Sequence, residues 1–205
     1  RSIKIMKMGN NEKFNRRALF GAALASAAVL PLRGSVTTPR QSPDFNMLYL
    51  SAAPKKLSAY RGTVCLVEFM FTTCQHCQHA AGMFSKLQNE FGPKGFQALG
   101  IAFNPMAHML VPDFQRDFKP NFPIAYSERD PVLQFLGISA IERYVVPQVV
   151  LIDRAGMIRH QSAPTGTVEL QDEAFLRKEI AALIAAPTPK PAVPARVPAA
   201  KTGAR

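Results

Sequence analysis

Residues 63–71, TVCLVEFMF, form an apolar run of strand length, broken by one charge at Glu68. A run without polar alternation reads as a strand covered on both faces. Beyond it, Ala80, Phe84, Leu87 and Phe91 recur at helical spacing and mark one apolar helix face. FGPKG (91–95) ends that helix with glycine and proline, and FQALGIAF (96–103) is a second strand. VPDFQRDF (111–118) predicts a short helix with Pro112 in its first turn, and FPIAYS (122–127) a short extended piece. DPVLQFLG (130–137) predicts a helix opened by Pro131 and closed by Gly137. PQVVLID (147–153) is a third strand, RAG (154–156) a tight turn, and MIRHQSA (157–163) the returning hairpin partner. Leu176, Ile180, Leu183 and Ile184 mark a closing helix. The order β-α-β-α-β-β-α predicts an α/β domain over residues 42–186, a central mixed sheet with helices on both faces.

The ends of the chain break this pattern. Residues 1–32 place a basic stretch ending in Arg16-Arg17 before an apolar run, Ala18 to Leu32, with Ala25-Ser26-Ala27 as a small-residue cleavage candidate. The run is short for a membrane span, so the segment reads as a signal peptide of twin-arginine type or an N-terminal anchor, hence a possible membrane tether. Residues 33–41 read as a polar linker. Residues 187–205, rich in proline and alanine, cannot bury enough apolar surface to offset ordering entropy and read as a disordered basic tail.

Charge changes little in this picture. The chain of 205 residues carries a net charge of +11, but its distribution argues against nucleic-acid binding. Residues 1–40 hold eight Lys/Arg and one acid, and residues 187–205 hold four and none. The ends therefore account for the whole excess, and residues 41–186 are neutral, without the clustered basic face a nucleic-acid partner needs. Apolar residues make up 47% of the chain, which suits a packed core. Three cysteines exclude a multi-disulfide scaffold and allow at most one intramolecular bridge.

Two of those cysteines stand in FMFTTCQHCQ (69–78), where the buried strand gives way to the helix. A helix N-terminus offers unpaired N–H groups and the positive end of the macrodipole, and both favour a thiolate. Cys74 is therefore the expected nucleophile. Cys77, three residues on within the first turn, is placed to resolve a mixed disulfide. Cys65 lies mid-strand among apolar neighbours and is assigned to the core. His79, His108 and His160 read as ordinary polar residues, and Met106, Met109 and Phe114 as plain core.

The chain resembles the thioredoxin superfamily, and within it the exported TlpA/ResA-like thiol–disulfide oxidoreductases. SPDFNMLYL (42–50), LSAYRGTVCLVEFMFTTCQHC (57–77) and VVPQVVLIDRAGMI (145–158) carry the resemblance, which spans residues 42 to about 185. It implies a thioredoxin-like fold and disulfide exchange with protein substrates through a Cys74–Cys77 redox disulfide. It implies no cofactor, no bound metal and a membrane redox partner outside the cytoplasm. By the same resemblance Pro147 is a cis-proline facing the disulfide, with the backbone of Val146 offered to a substrate chain. The alternative is a trans proline starting an edge strand. Glu68 matches the family's buried acid near the resolving cysteine, where desolvation would let it exchange a proton with Cys77. The alternative is a marginal ion pair with Lys55 or Lys56. Gln75 and His76 are the dipeptide that tunes the redox potential. Histidine before the second cysteine resembles the oxidising DsbA-type motif, whereas the TlpA/ResA-like motif more often has proline there. The family's active-site tryptophans are absent, and Phe71 and Thr73 stand in their places. The direction of electron flow stays open.

Two rivals remain. A metal carrier would use the CxxC pair with a histidine, but structural sites draw four ligands from two separated pairs, and no second pair exists. A peroxiredoxin-like antioxidant would carry proline seven and threonine three residues before the reactive cysteine. Val67 and Phe71 occupy those positions before Cys74.

Overall fold

Strand β4 (Val64–Met70) is buried at all seven positions because it is the centre of a six-stranded mixed sheet. The structure, a computed structural model, describes residues 36–187. Residues 1–32, read as a signal peptide or anchor, and the tail beyond 187 lie outside these residues. The strands are β1 (Arg40–Gln41), β2 (Asn46–Met47), β3 (Lys55–Lys56), β4, β5 (Phe96–Ala102), β6 (Ile124–Tyr126), β7 (Gln148–Ile152) and β8 (Met157–Gln161). Their order across the main sheet is β1-β8-β7-β4-β5-β6, while β2 and β3 form a separate small ladder. β5 pairs parallel with β4 and β6, and β7 pairs antiparallel with β4 and β8. Four helices complete the domain: α1 (Gln75–Phe91), α2 (Ala107–Phe118), α3 (Arg129–Leu136) and α4 (Glu173–Ala185).

Side chains alternate across β4. Val64, Leu66 and Met70 point into a core with Phe84 and Leu87 of α1, Val111 of α2, and Leu176 and Ile180 of α4. Cys65, Val67 and Phe69 point the other way, toward Leu133 and Phe135 of α3 and Phe45 and Met47 of the incoming chain. There Phe69 packs against Phe45 and Phe135 with ring centroids 5.6 and 5.2 Å apart. Each such fully buried large side chain contributes roughly 1.5–3 kcal/mol. Helices thus cover both faces, as the alternating pattern predicts.

The proposed turns hold as well. Gly95, Gly137 and Gly156 take positive φ (92°, 69° and 80°) after α1, after α3 and in the β7–β8 turn. Two expectations change. The segment 33–41, read as linker, ends in the sheet's edge strand: Arg40 and Gln41 pair with Ile158 and Met157. α2 starts at Ala107, so Pro112 sits inside the helix rather than in its first turn. The Asn104 carbonyl accepts from Ala107 N–H and Met106 takes a left-handed φ of 59°, which starts the helix early. Pro112 is exposed and costs the helix one hydrogen bond, to the carbonyl of exposed His108.

Candidate active site

The C-terminal ends of β4 and β5 hold the turn that carries the cysteines. β4 stops at Met70, and Cys74 is the N-cap of the 17-residue helix α1. Two side chains clamp the turn between them. Asn104, at the end of β5, accepts from Thr72 N–H at 2.9 Å, and Gln78 Nε2 donates to the Thr72 carbonyl at 3.0 Å. Neither residue was singled out from the sequence. Asn104 had a readable signal, a polar side chain ending a buried parallel strand next to the one that leads into the CxxC turn.

The two thiols differ in access. Cys74 is half-buried and Cys77 is fully buried. Burial pushes the Cys77 thiol well above its ordinary range, and the nearby Glu68 charge pushes the same way. A backbone hydrogen bond with Phe71 opposes both. Thr73, Gln75, His76 and His79 are exposed around the helix start. Phe71 packs on Phe103 at 4.7 Å, and Phe103 on Tyr144 at 6.0 Å, so three aromatic rings stand beside the turn.

Across from Cys74 lies the start of β7. The Val146–Pro147 peptide is cis, as expected from the resemblance. Cys74 Sγ is 3.7 Å from the Val146 carbonyl oxygen, a contact between residues 72 apart in sequence. Val146 is half-buried and Pro147 buried. The following residue, Gln148, is a further polar side chain that sequence reading passed over. It is wholly buried, and its Nε2 donates at 2.8 Å to the Val145 carbonyl.

Glu68 is wholly buried, on the α1 face of β4, the face that also receives Cys77. Its strand neighbours are Gly100 and Val149, and β5 lines this face with Ala98, Gly100 and Ala102. Among the described residues neither carboxyl oxygen has a hydrogen-bond partner. Burial pushes its pKa well above the ordinary carboxyl range, with the charge of Cys74 adding to the effect. The alternative of a lysine partner does not hold. Lys56 pairs with Asp44 at 3.9 Å, and Lys55 lies 3.9 Å from the ring centroid of Tyr60.

Cys65 belongs to the opposite core. It is 3% exposed, and burial raises its thiol to about 12. His160 contacts Glu179 at 3.1 Å, and the His108 ring lies 6.0 Å from Tyr126, so both are engaged away from the cysteines. Among the described residues no three His, Cys, Asp or Glu side chains are grouped to hold one metal ion. The arrangement can pass a disulfide between a reachable sulfur and a buried one, with a titratable carboxyl behind the pair.

The AhpC/TSA family model matches residues 39–161. The thiol-disulfide oxidoreductase ResA of Geobacillus thermodenitrificans is 25% identical over 138 residues, covering 67% of this chain and 75% of the relative. Among solved structures, the thioredoxin domain of a thiol-disulfide oxidoreductase from Bacteroides vulgatus superposes with a TM-score of 0.59 at 20% identity, covering 73% of this chain and 99% of that one. A thiol:disulfide interchange protein of the thioredoxin family from Chlorobium tepidum gives a TM-score of 0.59 at 18% identity, with the same coverage. At these identities the structures establish the thioredoxin-like fold.

Proposed function

This chain belongs to the AhpC/TSA family, and we propose that it works there as a thiol–disulfide oxidoreductase on protein substrates. The observation that carries the reading is the asymmetry of the CxxC pair. Cys74 is half-buried at the helix start, and Cys77 is fully buried one turn on. A peroxidase reading lacks its threonine, because Phe71 stands three residues before Cys74.

In the reducing direction the Cys74 thiolate attacks a substrate disulfide, forming a mixed disulfide and releasing one substrate thiolate. Cys77 then gives up its proton and attacks Cys74 Sγ. The second substrate thiolate leaves, and the Cys74–Cys77 bond holds the oxidised pair. Two electrons have passed to the substrate. The oxidising direction runs the same steps backwards. Cys77 is held protonated by its surroundings, so its attack needs a base close by. Glu68 is that group: its ionised form accepts the proton, and its neutral form, which burial favours, returns one when the steps run backwards. Val146, at the cis-proline Pro147, offers its backbone to the substrate chain beside Cys74, and exposed Thr73, Gln75 and His76 meet the partner and tune the thiolate. No cofactor is required by these steps.

Export is part of the proposal. The twin-arginine-like start of the chain supports it, and disulfide traffic concentrates in oxidising compartments. Among the described residues no helix is long and apolar enough to cross a membrane. A membrane thiol carrier or oxidase would then renew the pair.

The test is the reduction potential of the pair in the whole chain, equilibrated against glutathione and read by thiol alkylation and mass. A value of about −250 mV or lower assigns a reductant. A value of about −120 to −180 mV assigns a disulfide donor in which His76 dominates. A chain that never forms the 74–77 disulfide, or that turns over hydrogen peroxide rapidly instead, overturns the reading.

A further inference from the structure

Gln148 is the first residue of β7 and, with the next four, is buried without exception. Its neighbours Val149, Val150, Leu151 and Ile152 are apolar, as a central strand requires. An amide at the head of such a strand has to be accounted for by what it contacts. Its Nε2 lies 2.8 Å from the Val145 carbonyl, 3.2 Å from that of Ala163 and 3.2 Å from that of Pro164. Three acceptors around one nitrogen fix the orientation of the amide, since the reversed amide would set oxygen against three oxygens. The opposite end, Oε1, is buried with no donor. The side chain thus engages through its donor end alone, its acceptor left without a partner.

Those carbonyls belong to two segments that meet beside Cys74. Val145 precedes Val146, whose carbonyl oxygen is 3.7 Å from Cys74 Sγ. Ala163 and Pro164 follow β8, and Pro164 also accepts from Val145 N–H at 2.9 Å. Both backbone polar groups of Val145 are thus tied down, one to Pro164 and one to Gln148. The second segment is held from its far side by Gly166 N–H to Ala163 O at 2.8 Å and Ala163 N–H to Thr167 Oγ1 at 3.0 Å.

We propose that Gln148 is a positioning residue for protein substrates, its amide fastening the Val145–Val146 segment to the 163–164 turn at the height where an extended, cysteine-bearing chain pairs beside Cys74. The inference rests on the exchange function proposed above and adds which side chain sets the docking edge. An extended chain binds an edge by main-chain hydrogen bonds, and an edge already ordered loses less entropy on binding. Gln148 touches neither sulfur. Its loss acts on a protein substrate's binding, and a small disulfide that needs no docking edge is insensitive to it.

Two variants test this, Gln148→Met and Gln148→Glu, with a disulfide-bearing protein and glutathione disulfide as the two substrates. Gln148→Met keeps the volume and removes the donor. Its expected effect is a rise of about tenfold in KM for the protein substrate with kcat held, the fold-change one lost hydrogen bond produces. In Gln148→Glu the introduced carboxyl, when protonated, still donates to the carbonyls, and when ionised it repels all three. The ratio of its KM to that of wild type, taken at each pH, is expected near one in acid and to climb as pH rises. Melting curves identify a variant that does not fold, and the pH-dependent ratio within Gln148→Glu then decides alone. An unchanged KM in Gln148→Met, or a flat ratio in Gln148→Glu, overturns the inference. So does a parallel fall in rate toward glutathione disulfide, which would mean that Gln148 acts on the cysteine pair. If wild type exchanges with neither substrate, the exchange function itself is lost, an outcome distinct from a wild type that exchanges and variants that match it.

Discussion

Glu68 carries a cost that no contact offsets: a carboxyl with 0% exposure and no hydrogen-bond donor among the described residues. Burial raises its pKa well above the ordinary value of 4.5, and this sets the sign of its effect on stability. Above that ordinary value the unfolded chain releases the proton while the folded chain keeps it. Folding stability therefore falls as pH rises from 4.5 to the folded-state pKa, by up to about 1.4 kcal/mol per pH unit. Glu68→Gln removes that slope. Its stability relative to wild type, measured by urea unfolding, is expected to improve steadily from pH 4.5 upward. The same substitution is expected to slow disulfide exchange at neutral pH by about tenfold or more, because Cys77 loses its partner for proton exchange. An unchanged exchange rate would remove the proton-transfer role, whatever the stability curve does. From sequence, Glu68 stood out as a charge in an apolar run. Which face it took was not readable, because parity orders the side chains of a strand but leaves open which face meets the helix.

At the scale of elements, α4 shows how a local signal serves the core. Asp172 is its N-cap and accepts from Phe175 N–H at 2.7 Å, which sets the register that sends Leu176 and Ile180 inward. Asp172→Ala is expected to cost about 1 kcal/mol, read as a lower urea midpoint with an unchanged m-value. α1 and α4 were legible from their periodicity, and α3 from Pro131 at its start and Gly137 at its end. α2 was only half legible, since Ala107 is too small to register as an apolar anchor and Pro112 looked like a first-turn residue. The early start depends on the Asn104 carbonyl and on the left-handed turn at Met106, neither of which periodicity can encode.

For the whole molecule, the edge strand β1 is tied to distant elements by the side chain of Arg40. Arg40 Nη2 donates to the Phe135 carbonyl and to Gln161 Oε1, both at 2.8 Å, joining β1, α3 and β8 across 95 and 121 residues of sequence. Arg40→Ala is expected to lower unfolding stability by roughly 1–3 kcal/mol. It should leave the potential of the Cys74–Cys77 pair unchanged, because β8 and β7 both lie between β1 and β4. A shifted potential would show that the edge strand couples to the redox centre.

The sequence by itself determined what depends on neighbours along the chain. The buried character of β4, the face of α1, the glycine turns and the placing of two cysteines at a strand-to-helix junction are all local, set by spacing and backbone conformation. Sequence also carried the resemblance that pointed to Pro147 and Val146. Tertiary structure decided everything that needs two distant segments to meet. It set the Val146 carbonyl against Cys74, turned Glu68 to the face of Cys77 and away from Lys55 and Lys56, and brought Gln148 under the carbonyls of Val145, Ala163 and Pro164. Strand order and crossover create those meetings. No periodicity along a chain contains them, because the same alternation is compatible with many orders of strands.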